Sequence, residues 1–211
     1  MAVSSPSSPD LDQRCRTSRE SLQTPTLART GRLIVFTGPS GVGKGTLLRA
    51  LRDRYPALQL SVSATTRAPR PGEVPGQDYY FVSREQFEAM IDRNELLEWA
   101  EFAGNYYGTP KEAVLRQIEA GNWLILEIEL EGARQVRQSF PTALLLFVLP
   151  PSLGELEHRI RQRGKDSDEA IERRLERARV EIAAAPEFDI QIVNDDLETA
   201  LAQLEQAIFD R

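Results

Sequence analysis

Three apolar runs stand out along the chain, Leu33-Ile34-Val35-Phe36, Trp123-Leu124-Ile125-Leu126 and the stretch 143–149. Such runs read as strands, and the second, extended by Glu127-Ile128-Glu129, has the character of a buried parallel strand. Its carboxylates fall at its C-terminal end, and residues two apart on a strand share a face, so Glu127 and Glu129 are expected to point the same way. Leu60-Ser61-Val62-Ser63-Ala64 alternates and predicts a short strand, as do 78–82, 96–102 and 105–108. The last two are joined by a Gly104-Asn105 turn. Helical spacing returns at 47–51 and at 84–94, where Ser83 and Gln86 form a capping box. Thr109-Pro110-Lys111-Glu112 has the order of a helix start, which would give Thr109 a purely structural role as cap. After Pro150-Pro151, Ser152 and Glu155 open two helices separated at Gly164 and Lys165-Asp166-Ser167, and a strand at 189–193 precedes an amphipathic helix at 197–209. An α/β chain with a parallel core and a second small sheet carrying one helix follows from this order.

One junction carries more than architecture. Between the strand at 33–36 and the helix at 47–51 lies Gly38-Pro39-Ser40-Gly41-Val42-Gly43-Lys44-Gly45-Thr46. Its glycines let successive N–H groups turn into one cavity, to which the following helix adds its positive dipole end. A polyphosphate fits there, with Lys44 as a mobile point charge and the Thr46 hydroxyl inside the first helical turn. The common phosphate-loop pattern has Ser or Thr directly after the lysine; here Gly45 stands there and Thr46 follows.

A second anion site is suggested at Thr65-Thr66-Arg67-Ala68-Pro69-Arg70-Pro71-Gly72-Glu73. Prolines restrict the φ angles of this loop, so Arg67 and Arg70 have little entropy left to lose on gripping a phosphate. A solvated basic loop fits the same residues equally well. The arginines between 158 and 179 have glutamates at helical spacing and read mainly as solvated ion pairs, a minority reaching a phosphate. His158, the only histidine, reads as a surface residue.

Charge and composition narrow the classes further. The 211 residues are 41% hydrophobic and carry a formal net charge of -6, ordinary for a globular protein and unlike a chain that binds nucleic acid through bulk electrostatics. No apolar stretch is long enough to span a bilayer, and Cys15 is the only cysteine, so a reducing cytoplasm is the expected compartment. Residues 1–30, rich in Ser, Pro, Thr and Arg, are expected to form a disordered extension. Asp10, Asp12 and Glu20 fit poorly with the rival reading, an organellar transit peptide.

At 63–73 the chain closely resembles the guanylate kinases, and the likeness continues through Gly76-Gln77-Asp78-Tyr79, Glu98-Trp99-Ala100, Gly104-Asn105-Tyr106-Tyr107-Gly108 and Ile192-Val193-Asn194-Asp195-Asp196. The resemblance covers about 32–209. It implies a three-layer P-loop nucleoside monophosphate kinase fold, with a parallel core (31–61, 113–152 and 179–211), an inserted GMP-binding subdomain (62–112) and a helical lid (153–178). It also implies transfer of the γ-phosphoryl group of ATP to GMP with Mg2+, serving GMP recycling and GTP supply, in a monomer or homodimer.

Carried over by position, the resemblance gives Gly38, Pro39, Ser40, Gly41, Val42, Gly43, Lys44, Gly45, Thr46 and Asn194 to ATP. Arg67, Arg70, Tyr79 and Tyr107 go to the GMP phosphate, and Ser63, Glu98, Thr109 and Glu129 to guanine. Lys44, Arg67, Arg163 and Arg174 are the expected catalytic residues, with Thr46 and Glu127 toward the metal, directly or through water. Guanine presents N1–H and N2–H donors that a carboxylate such as Glu98 can accept as a pair, whereas adenine offers a bare N1 lone pair. Relatives often carry an Asp-x-Asp pair where this chain has Glu127 and Glu129, each one methylene longer. Two other readings stay open at this point: an AMP kinase, since the Gly-Lys-Gly-Thr form occurs there also, and a non-catalytic phosphopeptide-binding scaffold. The Arg67/Arg70 loop and Glu98 weigh against the first, and Lys44 against the second.

Overall fold

The structure is a computed structural model, and it describes residues 31–102, 104–162, 164 and 166–210. The expected N-terminal extension, Cys15 and Arg163 lie outside the described residues.

Five parallel strands form the core sheet: β1 (Arg32–Thr37), β2 (Leu58–Leu60), β7 (Trp123–Glu127), β8 (Leu144–Leu149) and β9 (Ile190–Val193), in the order β2-β7-β1-β8-β9. Both faces are covered, which is why these strands are apolar nearly throughout. Ile34 and Phe36 of β1 pack with Leu47, Leu51, Leu201 and Leu204, from helices α1 (Lys44–Arg54) and α7 (Leu197–Phe209). Leu33 and Val35 point the other way, against Val114 of α3 (Lys111–Glu119) and Leu130, Ala133 and Val136 of α4 (Leu130–Ser139). Each fully buried leucine contributes about 1.5–3 kcal/mol of transfer free energy, so the sandwich of helix, sheet and helix supports loops at the C-terminal strand ends.

A second sheet, in the order β4-β3-β6-β5, is built from β3 (Ser63–Thr65), β4 (Tyr79–Phe81), β5 (Leu96–Phe102) and β6 (Asn105–Pro110). Helix α2 (Arg84–Asp92) packs on it through Phe87 and opens with the expected Ser83/Gln86 capping box. The sequence reading took 60–64 as one strand. The chain instead leaves the core sheet after Leu60 and enters the small sheet at Ser63, because β2 pairs with β7 while β3 pairs with β4 and β6. Alternation alone cannot reveal a change of partner between two sheets.

After β8 come α5 (Leu153–Gln162) and α6 (Asp168–Ala183), the two arginine-rich helices. Ser152 caps α5 by accepting the Glu155 N–H at 3.0 Å, and Ser167 caps α6 by accepting that of Ala170 at 3.3 Å. Among the described residues no helix is long and apolar enough to cross a membrane.

Candidate active site

The glycine-rich loop leaves β1 and turns into α1 with Gly38, Gly41 and Gly43 at positive φ (149, 96 and 102°). Two of these positions have a steric reason as well. A Cβ on Gly38 would meet the Val148 carbonyl oxygen at 2.4 Å, and one on Gly43 would meet the Asn194 side-chain nitrogen at 2.4 Å. Gly43 is the N-cap of α1 and supplies no side chain to the first helical N–H groups, which leaves them directed at the cleft. Lys44 Nζ lies back over the loop, donating to the carbonyls of Gly38 (2.6 Å) and Pro39 (3.3 Å).

Two other elements brace this loop. Asn194, at the end of β9, donates from Nδ2 to the Val42 carbonyl at 2.7 Å, and Arg159 of α5 donates to the Asn194 carbonyl at 2.9 Å. Arg174 of α6 donates to Ser40 Oγ at 2.8 Å and pairs with Asp166, so the arginine-rich hairpin already touches the loop.

Across the cleft, Arg67 lies over the ring of Tyr79, 5.3 Å from its centroid, and Tyr79 meets Tyr107 edge to face at 6.2 Å. Both Arg67 terminal nitrogens are held by the Glu73 carboxylate at 2.8 and 3.0 Å, and Glu73 also accepts the Arg70 N–H at 2.7 Å. Arg70 itself is exposed, and Ser63 lies opposite Tyr79 in the β3/β4 pairing. Burial raises the Tyr79 phenol, with Tyr107 and Glu127 adding to it. Glu127, at the end of β7, is in turn pushed above the usual carboxylate range by burial, with Lys44 opposing and Glu129 adding. Lys44 and Tyr79, the ring beneath Arg67, thus both lie within electrostatic reach of Glu127.

Glu98 is the most enclosed carboxylate of the cleft, 5% exposed. Residues Leu97 and Glu98 of β5 oppose the single residue Thr109 of β6, a bulge that turns Glu98 inward. Thr109, fully buried, donates from Oγ1 to Glu98 Oε1 at 2.6 Å. That corrects the capping expectation: Thr109 lies within β6, and Pro110, the last residue of that strand, directly precedes α3 with no side-chain cap. Burial pushes the Glu98 carboxyl up to about 7, against the Thr109 hydrogen bonds.

The sign of the resulting linkage is fixed. The folded value lies above the unfolded one, so the Glu98 contribution to stability is complete below the unfolded value of about 4.3 and is lost as pH rises through 7, a loss of about 3 kcal/mol. Urea unfolding at pH 5 and pH 8 is expected to show this loss in the native chain and not in Glu98→Gln; equal slopes in the two proteins would contradict it.

Glu129 departs from the strand rule. β7 stops at Glu127, and Glu129 is the residue before α4, where it pairs with Arg177 of α6 at 3.0 Å. Arg177 also holds Glu181 at 2.8 Å and lies 5.5 Å from the ring centroid of Phe102 on β5. The sequence reading missed α4, the grip of Glu73 on Arg67 and these contacts of Arg177. Leu130, Ala133 and Val136 recur at intervals of three, a helical signal that was there to be found.

A metal would find the Thr46 hydroxyl on an exposed first turn of α1 and the Glu127 carboxylate at the end of β7. Among the described residues no three His, Cys, Asp or Glu gather into a cage. That donor set fits magnesium, which keeps several waters and takes the rest of its ligands from substrate phosphates.

A glycine-rich loop between a strand of a parallel sheet and a helix, touched by Arg174 of the arginine-rich hairpin, is the arrangement of a P-loop kinase. Residues 30–211 match the family model described as guanylate kinase. The chain is 70% identical over 179 residues to the guanylate kinase of Thermosynechococcus vestitus, spanning 85% of this chain and 94% of that protein. It is 64% identical over 197 residues to that of Trichormus variabilis, spanning 93% and 96%. The crystal structure of guanylate kinase from Anaplasma phagocytophilum superposes with a TM-score of 0.65 at 32% identity, covering 85% of each chain. The chain belongs to the guanylate kinase family.

Proposed function

We propose that the cleft transfers the γ-phosphoryl group of ATP in line to the phosphate of GMP, giving ADP and GDP, with the donor on the glycine-rich loop and the acceptor between Arg67 and Glu98. The observation that carries this reading is the buried Glu98 carboxylate held by Thr109, with Lys44 of the donor loop and Tyr79 beneath Arg67 both within electrostatic reach of Glu127.

Backbone N–H groups of 38–46 cradle the donor phosphates, Lys44 leaves its carbonyl partners for the outer phosphates, and Asn194 keeps the loop in shape beside the adenosine end. Arg67, Arg70, Tyr79 and Tyr107 hold the acceptor phosphate; Glu98, seconded by Thr109, accepts the two donors of guanine, with Ser63 and Glu129 at the border of the base. Arg174 and Arg163 close over the transferring group, where an arginine is worth about 10³–10⁵ in rate. Thr46 and Glu127 would hold magnesium, directly or through water, and its charge would offset that of the donor phosphates. No covalent enzyme intermediate is needed, since positioning and charge neutralisation supply the catalysis.

In this reading 31–61, 113–152 and 179–211 are the fixed body, 62–112 the acceptor subdomain and 153–178 the lid, working in the cytoplasm without nucleic acid, as a monomer or homodimer. A coupled assay of ADP release with GMP, AMP, CMP and UMP tests it. ADP production is expected with GMP at least 10³-fold above AMP, because adenine leaves a buried carboxylate unpaired. Equal rates with AMP would remove the base assignment, and no GMP-dependent ADP would leave a binding module.

A further inference from the structure

We propose that one face of α4, formed by Gly132, Gln135 and Ser139, holds Glu98 in its reading position, and that Gln135 is a specificity-positioning residue. The proposal rests on the reading of Glu98 as the partner of guanine.

The three residues recur at i, i+3 and i+7 and so share a face of the helix, distinct from Leu130, Ala133 and Val136 in the core. That face meets β5, the edge strand of the small sheet, whose outer N–H and C=O groups have no neighbouring strand. Gln135 takes the place of one. Its Oε1 accepts the Trp99 N–H at 3.0 Å and its Nε2 donates to the Trp99 carbonyl at 2.9 Å. Ser139 Oγ lies 3.2 Å from the Leu97 carbonyl and 2.9 Å from the Gln135 carbonyl, and its one hydrogen is shared between them. The residues immediately before and after Glu98 are thus both tied to a helix of the body.

The tie matters because Glu98 sits in a bulge. A bulged strand that slips into regular pairing turns its side chains to the other face, and the backbone bonds from α4 oppose that slip. Gly132 completes the seat. A Cβ there would stand 2.5 Å from Glu98 Oε2 and 3.2 Å from its Cδ, with Ile128 Cδ1 at 3.4 Å behind. Glycine is a poor residue for the first turn of a helix; here it makes room for a carboxylate whose other oxygen is fixed by Thr109. An amide suits position 135 better than a carboxylate, which would repel the Trp99 carbonyl and place a second negative charge near Glu98.

The test compares Gln135→Ala, Gly132→Ala and Glu98→Gln, measuring kcat/KM with GMP and with IMP, which lacks the 2-amino donor, together with the KM for ATP and Tm. Gln135→Ala is expected to lower the preference for GMP over IMP about tenfold, through the KM for GMP, with the KM for ATP unmoved. Gly132→Ala is expected to lower it further, about 10²-fold, because its Cβ displaces the carboxylate, with the cost in Tm partly offset by the helix preference of alanine. Glu98→Gln abolishes the preference. Parallel losses with GMP and IMP in the two α4 variants, or a change in Tm alone, would overturn the positioning role while Glu98→Gln still confirms the base reading. Retention of the preference by Glu98→Gln would instead overturn the base reading, and with it this proposal.

Discussion

Replacing Lys44 with alanine is expected to lower kcat at saturating ATP and GMP by about 10³-fold or more, while GMP binding measured by calorimetry stays within about threefold. The asymmetry follows from where the lysine stands. It opens α1, and its Nζ is parked on the Gly38 and Pro39 carbonyls, within the donor loop and outside the Arg67 cluster. The loop amides and the helix dipole survive the substitution, so a donor still finds its cradle. What is lost is the donor loop's own mobile charge, which can follow the phosphoryl group as it moves, an interaction stronger in the transition state than before it. Lys44 also holds down the carboxyls of Glu127 and Glu181, both raised by burial. Its removal raises them further and shifts the acid limb of any residual activity to higher pH. A variant retaining more than a tenth of the native rate would refute the role given to Lys44.

Much of this arrangement was legible because local chemistry dictates it. A glycine that must adopt φ of 102°, where a Cβ would stand 2.4 Å from the Asn194 side chain, leaves its mark in the sequence, as does a strand buried on both faces. The Arg67/Arg70 loop stood out through its prolines. What stayed hidden was pairing between segments distant in the chain. Nothing local to Leu60 and Ser63 says that they serve different sheets, and nothing local to Thr109 says that its hydroxyl turns to Glu98, eleven residues back, instead of capping the helix ahead. The bulge in β5 is a property of two strands together, and so is the seat that α4 provides. Glu129 shows the reverse case: strand periodicity was extended two residues beyond β7, into a segment already committed to starting α4. In each instance a local rule was overridden by a contact that forms only on folding.

The same distinction governs the second large effect, at Arg67. Arg67→Met is expected to lower kcat/KM for GMP by about 10³-fold, more than the loss of one bidentate phosphate contact alone. Glu73 accepts from both terminal nitrogens of Arg67 and from the Arg70 N–H, and that first partner is the largest reason its carboxyl lies below the usual range. With the guanidinium gone, a carboxylate faces the place where the acceptor phosphate must arrive, and like charge opposes binding. Methionine keeps an unbranched apolar side chain and removes the guanidinium from over the Tyr79 and Phe81 rings, so the loss reads mainly as charge. Adding Glu73→Gln should then recover about tenfold, with the KM for ATP unchanged in both proteins. A single variant that keeps a tenth of native kcat/KM, or a second substitution that lowers it again, would overturn this role for Arg67. Either result would mean that Glu73 organises the loop for the substrate instead of occupying the guanidinium in its absence.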